Sequence, residues 1–423
     1  LYNRLHSTFL ILPMSLISPR PPRLLAAVLA GSMPFYLSSV AWNFALGMTY
    51  ILVPLYARSL GMPGVEIGIL VSAPVVLQMI FTLVGGALSD RVGGKNMAMA
   101  SCFLTLVSAL VFMAASGFAM MMAGQVLMVV SRAMFWPASW SLASQLPGDG
   151  PTQMGRFNGA TNGGQIAGTA GAGFIIAAAG YLAGFGVMAV FALAALLLGP
   201  AYRTAAHRPR KQGGNMLGNM FATYRRLAGM RSIRYSVLCA YISALPVSLA
   251  FSFYPILLVE QGFASDMAGS LISLRGVGAV VAGFLAGYLG RNVQAISMPM
   301  ASAIILGFSV ALGAAVSQPW LIGLFLFLVG VASSLVTLYF QMLISLISTR
   351  ETRGSAMALG GLGWSISHLT TPFAMGLLKD ALDIRIAFYL VGGFAVLCGL
   401  SLAPAYRWAF AREPLEDRVE APL

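Results

Sequence analysis

Three side chains that could do chemistry lie inside long apolar stretches of the sequence, namely Arg132, Arg275 and His368. A charge near the centre of a bilayer costs at least about 2.5–3.5 kcal/mol on insertion scales, so a cation in such a stretch is a functional candidate by default. Arginine can bind a carboxylate through a planar pair of hydrogen bonds, and histidine can exchange a proton near neutral pH. We therefore expect Arg275 to bind an anionic group, and His368 either to donate a second hydrogen bond or to take up a coupled proton.

Acidic residues are kept out of these apolar stretches. All twelve Asp and Glu residues fall in predicted loops or at predicted helix ends. A proton-driven exporter of cationic drugs usually benefits from a buried carboxylate that can hold either the proton or the substrate. The charge pattern therefore favours an anionic substrate over a cationic one.

Arg132 and His368 could each have a structural role instead of a role in binding or coupling. Arg132 lies in the middle of predicted helix four, shortly before Pro137. It could bind substrate or serve coupling, or it could be structural, bonded to helix five or to carbonyls freed near the proline. A lone histidine such as His368 could likewise be only a hydrogen-bonded packing residue.

Motifs for catalysis and metal binding are missing from the sequence. Gly94 and Lys95 are followed by Asn96, so the pattern of a phosphate-binding P-loop is incomplete. The three cysteines lie in separate predicted helices without metal-ligand spacing, and no nucleophile with a neighbouring base is evident. We expect no enzymatic activity, no cofactor and no metal.

The elements that must position the candidate residues are membrane-spanning helices. Of 423 residues, 58% are hydrophobic and 9% are charged, whereas a soluble domain carries roughly 25% charged residues. Apolar stretches of about 20 residues can cross a hydrocarbon core of about 30 Å as helices. The sequence thus predicts an all-α integral membrane protein with twelve transmembrane helices, at 33–56, 66–88, 97–116, 120–145, 155–179, 183–201, 234–259, 268–290, 295–316, 320–347, 355–378 and 386–408.

The net charge of +13 follows the predicted topology. Of the 25 Lys and Arg residues, only Arg58, Lys379 and Arg385 fall on the outer side, and Arg132 and Arg275 fall within helices. The remaining 20 lie on one side, which the positive-inside rule assigns to the cytoplasm. We expect both termini to be cytoplasmic, in a bacterial inner membrane, and the basic charge to face membrane lipid, with no nucleic-acid partner.

The chain also repeats itself at an offset of 201 residues. The offset pairs glycines and prolines that chance apolar matches do not explain, among them Pro54 with Pro255, Gly61 with Gly262, Gly68 with Gly269 and Gly86 with Gly287. The predicted organisation is a cytoplasmic tail (1–32), a six-helix bundle (33–201), a basic linker (202–233), a second six-helix bundle (234–408) and a second tail (409–423). The linker could be a solvated loop, or it could carry an amphipathic helix near 215–229 on the membrane surface.

Residues 86–95 read GALSDRVGGK after predicted helix two. This segment is similar to the loop motif of the major facilitator superfamily, Gly-x-x-x-Asp-Arg-x-Gly-Arg/Lys-Arg/Lys, and only Gly94 departs from it. The resemblance implies two six-helix repeats with substrate bound between them. It also implies a gating role, in contacts that form in one conformational state only, for Gly86, Asp90, Arg91 and Gly93.

The resemblance adds expectations about the binding site. Some anion carriers of this superfamily place an arginine in helix eight that binds the substrate carboxylate, and the oxalate type adds a cation in helix eleven, where this chain has His368. The arginine of helix four is typically followed four residues later by glycine, but here that residue is Trp136. Further polar side chains occur in helices that commonly face the cavity, and could equally bond helix to helix: Asn43, Asn158, Asn162, Gln165, Tyr339 and Gln341.

We therefore expect a secondary transporter that works by alternating access, as a monomer, on a small organic anion coupled to protons. The runner-up is efflux of amphipathic compounds, although the helix-five motif of drug antiporters is incomplete because its proline is missing from 159–168. A channel or membrane receptor is a third class. The duplicated halves and the gating loop argue against it.

Overall fold

The computed structural model describes residues 32–81, 93–147, 150–202, 216–289, 296–348 and 353–411. Apolar segments of this length form helices because a helix satisfies its own backbone hydrogen bonds in lipid. The helices are α1 Met33–Ser59, α2 Gly64–Phe81, α3 Gly94–Ala114, α4 Phe118–Ser144, α5 and α6 together as Gly150–Leu198, a linker helix Met216–Gly229, α7 Arg231–Ala250 continued by Tyr254–Glu260, α8 Ser265–Leu289, α9 Ser297–Ala315, α10 Pro319–Ile347, α11 Arg353–Gly360 continued by Leu362–Ala381, and α12 Ile384–Phe410.

The prediction of twelve spans is confirmed. Ten helices within the described ranges are long and apolar enough to cross a membrane by length and composition. One of them is two spans, because Gly180 has a φ of 80° that breaks Gly150–Leu198 into α5 and α6. The remaining span is α11, which is more polar in its middle and packs against α2 and α7.

The internal repeat is visible in the turns that end α1 and α7. Gly61 and Gly262, which are 201 residues apart, have φ values of 79° and 91°. In both turns the glycine N–H donates to a carbonyl three residues back, and the next N–H donates to a carbonyl five residues back. A side chain at either glycine would be strained, because positive φ favours glycine. The two halves therefore share local geometry as well as sequence spacing.

Glycines in α5 let it approach α1 closely. A Cβ on Gly168 would lie 2.0 Å from the carbonyl oxygen of Phe44, and one on Gly164 would lie 2.4 Å from that of Val40. Small residues at such positions allow backbones to pack where lipid supplies no hydrophobic driving force between helices. This contact holds α1 and α5 in one bundle, and it fixes the positions of Tyr50 and Gln165 that line the site described below.

The linker region contains the short helix Met216–Gly229. Its Leu227 is buried, whereas Arg225 and Arg226 are exposed. Arg234 at the start of α7 donates from Nε to the carbonyl of Ala228 at 2.9 Å. The linker helix is thereby joined to the second bundle.

Candidate functional site

Two arginines approach one site from opposite halves of the molecule. Arg132 comes from α4 and Arg275 from α8, and both are half-buried. Each lies close enough to Tyr50 of α1 and His368 of α11 to interact with them electrostatically. The Nε atom of each guanidinium is buried without a hydrogen-bond partner among the described residues. The structure therefore brings together the three side chains that the sequence singled out.

An aromatic contact closes the outer end of this site. The Tyr50 ring stacks on Phe251, with ring centroids 3.6 Å apart and an interplanar angle of 17°. Phe251 sits where α7 is interrupted between its two segments. The guanidinium carbon of Arg275 lies 5.6 Å from the Phe251 ring centroid, and the Gln165 Nε2 donates to the Tyr50 hydroxyl at 2.6 Å. This group joins both halves above the arginines.

The orientation of His368 is set by its own helix. Its Nδ1 lies 2.8 Å from the Trp364 carbonyl oxygen. Because a carbonyl only accepts, Nδ1 carries the proton of the neutral ring. The Trp364 indole Nε1 donates to the Ser243 hydroxyl at 3.0 Å, and the Trp364 and His368 rings stack with centroids 5.5 Å apart. The His368 Nε2 is left buried without a described partner, so it is the atom free to accept a proton or, once protonated, to donate to an anion.

The acidic residues of the described ranges lie away from this site. Glu66, Glu260, Asp266, Asp380 and Asp383 all stand at the outer ends of helices or in the turns between them. The two salt bridges described both use Glu260 and lie at the same outer end. Within the described spans, the two arginines thus have no carboxylate to neutralise them.

Contacts at the outer end hold the halves together. The Glu260 carboxylate at the end of α7 lies 3.5 Å from Arg58 of α1 and 3.5 Å from Lys379 of α11. The Asp380 carboxylate accepts the first two N–H groups of α2, each at 2.7 Å. These N–H groups have no partner within their own helix, and the helix dipole adds to their attraction for a carboxylate. We call Arg58, Glu260, Lys379 and Asp380 the outer latch.

The halves separate toward the end of the helices that the sequence predicts to be cytoplasmic, as three glycines on one face of α8 show. A Cβ on Gly269 would lie 2.9 Å from the Thr169 carbonyl oxygen, and one on Gly276 would lie 2.5 Å from the Ile166 side chain. Gly283 continues the same face seven residues later, and a Cβ there meets no described atom within 4 Å. Helices α5 and α8 therefore touch in their outer and middle parts and diverge below. In the topology predicted from the sequence, this is the arrangement of an inward-facing state.

Three of the predicted residues on α1 and α5 make only local hydrogen bonds within the described part of the chain. Asn43 is fully buried, its amide donates to the Ser39 carbonyl at 2.9 Å, and its Oδ1 has no described partner. Asn158 is exposed on the cytoplasmic half of α5, and the Asn162 amide donates to its carbonyl at 2.8 Å. A role for these three in binding stays a prediction.

The predicted residues of α10 are not brought to the site. Tyr339 is fully buried inside the second half, where its ring packs edge-on against Tyr235 with centroids 6.5 Å apart. Gln341 is exposed. Phe251 and Trp364, by contrast, contribute to the site although sequence reasoning did not select them. Trp364 lies one helical turn before His368, which is a signal that could have found it.

The gating motif is described only at its end. Gly86, Asp90 and Arg91 lie outside the described residues. Gly93 precedes α3 with a φ of 86°, a conformation that favours glycine. The Lys95 Nζ donates to the Pro200 carbonyl at 2.7 Å, and so binds the C-terminal end of α6. This part of the motif holds the first bundle together.

Comparison with known proteins identifies the family. The model of the Major Facilitator Superfamily matches residues 35–234 and 236–422. Quinolone resistance protein NorA of Staphylococcus aureus is 30% identical over 101 residues, which cover 24% of this chain and 26% of NorA. The aligned segment thus spans about a quarter of the length of these curated relatives.

Solved transporters share the fold at low sequence identity. The nucleoside transporter NupG superposes with a TM-score of 0.71 at 13% identity, covering 89% of this chain and 99% of NupG. A bacterial homologue of the human lysosomal transporter Spinster gives a TM-score of 0.74 at 14% identity, covering 94% and 99%. With the family model matching almost the whole chain in two successive parts, the protein belongs to the Major Facilitator Superfamily and is a membrane transporter.

Proposed function

We propose that the chain is a proton-coupled carrier of small organic anions, with the substrate carboxylate held between the halves by Arg275 and Arg132. One observation carries this proposal: both arginines approach Tyr50 and His368, and each has a buried Nε without a described partner. A buried donor left unsatisfied costs about 1–3 kcal/mol, and more when it belongs to a charged group. An anion that accepts from both guanidinium groups relieves that cost in both halves at once.

Proton coupling follows from the position of His368. An imidazolium there would add a third positive charge near two guanidinium groups, whereas a carboxylate bound among them would attract it. Anion binding and protonation of Nε2 therefore favour each other, as any pair of linked binding events must do reciprocally. The anion and the proton would move together as a symport, and the loaded site would carry the same net charge as the empty site, because the proton balances the carboxylate.

Alternating access would start from the state described here. The outer latch and the Tyr50–Phe251 contact close the outer side, and the cleft between α5 and α8 leads to the site from the cytoplasm. The return step requires cytoplasmic closure, for which we retain Gly86, Asp90 and Arg91 as the proposed gate. A monomer suffices for this cycle, because both halves of the site belong to one chain.

We assign both termini to the cytoplasm of a bacterial inner membrane. Arg225, Arg226 and Arg234 are exposed at one end of the helices, and Glu260 and Asp380 lie at the other. This distribution agrees with the positive-inside rule. It also places these three exposed arginines where they can contact anionic lipid head groups.

Efflux of amphipathic compounds is the second candidate. It is supported by the similarity to the quinolone resistance protein NorA over about a quarter of the chain, and by the aromatic rings around the site. The two candidates differ in the charge of the best ligand. An organic anion needs the arginines, whereas a cation would be repelled by them.

A ligand screen on the purified protein separates the candidates. A ligand at 100 times its Kd stabilises a folded protein by about 2.7 kcal/mol, which a thermal-shift measurement detects. We expect carboxylates to raise Tm and their neutral amides of the same shape to leave it unchanged. If cationic dyes raise Tm and carboxylates do not, the anion proposal is wrong and efflux replaces it.

A further inference from the structure

Two tryptophans continue the line of Arg132 toward the cytoplasm. Arg132, Trp136 and Trp140 are spaced by four residues along α4, so they form one stripe on that helix. Trp136 is half-buried and the Trp140 side chain is 50% exposed. Their rings lie 5.7 Å apart with 40° between the planes. At a rise of about 1.5 Å per residue, the rings are placed about 6 and 12 Å along the helix from the arginine.

The stripe faces the interior of the molecule at its Arg132 and Trp136 positions. The Trp136 ring packs edge-on against Trp42 of α1 and Phe157 of α5, with centroids 6.2 and 6.4 Å apart. Arg132 interacts electrostatically with His368 of the other half. The stripe therefore runs along a wall of the cleft that leads from the cytoplasm to the site.

Space for a ligand adjoins this wall. Gly155, Gly159 and Gly163 are spaced by four residues on the cytoplasmic half of α5, and a Cβ on any of them would meet no described atom within 4 Å. Helices α4 and α5 touch at this level through Trp136 and Phe157. The three glycines share the α5 face of Ile166 and Gly173, which contact α8, so the open space lies between the two halves. Trp136 contacts the opposite face of α5 through Phe157, and the half-exposed Trp140 ring is the part of the stripe left open to a flat group.

We infer that the transported anion is an aromatic carboxylate, whose carboxylate binds the arginines while its ring packs against Trp136 and Trp140. Indole faces attract flat aromatic groups by stacking, beyond the burial of apolar area. The guanidinium at one end of the stripe fixes the charged end of the ligand, so the ring must point toward the cytoplasm. This inference rests on the proposed anion function and narrows its substrate class.

The test compares two carboxylates of similar size, 2-naphthoate and its fully saturated analogue, for binding to the purified full-length protein. Calorimetry gives Kd for the wild type and for Trp140→Leu, Trp140→Phe and Trp136→Leu. The matched control is Trp320→Leu, because Trp320 is 69% exposed at the outer end of α10. Unchanged Tm and elution volume of each variant show that it is folded.

The expected result is that 2-naphthoate binds the wild type about three- to tenfold more tightly than its saturated analogue, as stacking contributions predict. Trp140→Leu and Trp136→Leu should remove most of that preference, Trp140→Phe should retain it, and Trp320→Leu should leave it unchanged. Equal affinities for the two ligands, or a preference untouched by both leucine variants, would overturn the inference. The proposed function fails separately, if neither carboxylate binds the wild type.

Discussion

Arg275 illustrates how one side chain sets the chemistry of the site. Its guanidinium packs over Phe251, and its Nε is buried without a described partner. Arg275→Lys keeps the positive charge but loses the planar fork that meets a carboxylate with two bonds. We expect Kd for the best carboxylate to rise about tenfold or more, since a hydrogen bond to a charged group contributes roughly 1.5–3 kcal/mol.

The control for this substitution is Arg385→Lys at the outer start of α12, remote from the site. It should bind the carboxylate as the wild type does. Wild-type affinity in Arg275→Lys would refute the role assigned to that guanidinium.

His368→Gln tests proton coupling. A glutamine amide can still donate to an anion but cannot titrate near neutral pH. Carboxylate binding should fall by less than about threefold, whereas the change of uptake between pH 5.5 and 8 should largely disappear. Uptake of the labelled carboxylate into proteoliposomes over this pH range is the measurement. A pH profile equal to that of the wild type would exclude His368 as the coupling group.

At the same scale, the residues of α10 show what sequence reasoning could not supply. Arg132, Arg275 and His368 could be selected because charge inside an apolar segment is costly wherever the helix faces. Tyr339 and Gln341 are compatible with several environments, so their role depends on the rotation of α10 about its axis. That rotation is set by packing between helices, and it buries Tyr339 against Tyr235.

The helices themselves were largely predictable. The tenth span was predicted at 320–347 and occupies Pro319–Ile347, because hydropathy is a local property of the chain. The interruption of α7 before Tyr254 was not predicted, although Pro255 near the start of the next segment is a known marker of such a break. Since Phe251 lies in that interruption, the aromatic closure of the site could not be derived from the sequence.

Gly173 carries a prediction about the packing of α5 on α8. A Cβ at Gly173 would lie 2.2 Å from the Ser265 backbone carbonyl oxygen, so Gly173→Val must push the two helices apart at their outer ends. Overpacking typically costs about 1–3 kcal/mol. Here it destabilises the inward-facing state, in which the outer ends of α5 and α8 touch. A cysteine introduced at position 159 (Gly159→Cys) should therefore react with a thiol reagent applied from the cytoplasmic side several-fold more slowly in the Gly173→Val variant than in the protein with Gly173.

The control for Gly173→Val is Gly186→Val, where a Cβ meets no described atom within 4 Å. All labelling variants also carry Cys398→Ser, because Cys398 is the native cysteine that the described structure leaves partly accessible to the reagent. Equal labelling rates for the Gly173 and Gly186 variants would contradict the close-packing argument.

For the whole molecule, the outer latch sets the balance between the two facing states. Glu260→Gln removes both salt bridges of the latch. Only the Arg58 pair joins the two halves, and a partly exposed ion pair contributes about 0.2–1 kcal/mol, so we expect the ratio of inward- to outward-facing molecules to fall by up to about fivefold. Distances between spin labels at the cytoplasmic ends of α5 and α8 report this population. Glu66→Gln, another outer acid without a described contact across the halves, should leave it unchanged.

The central claim is that an organic anion moves through this chain together with a proton, bound by arginines of both halves. The most direct measurement is uptake of a labelled carboxylate, chosen by the ligand screen, into proteoliposomes with an inward proton gradient. We predict accumulation above the external concentration, which collapses with a protonophore, is strongly reduced in Arg275→Lys and is lost in Arg132→Gln. Accumulation that persists in both arginine variants, or a cationic compound carried where no carboxylate is, would contradict the account.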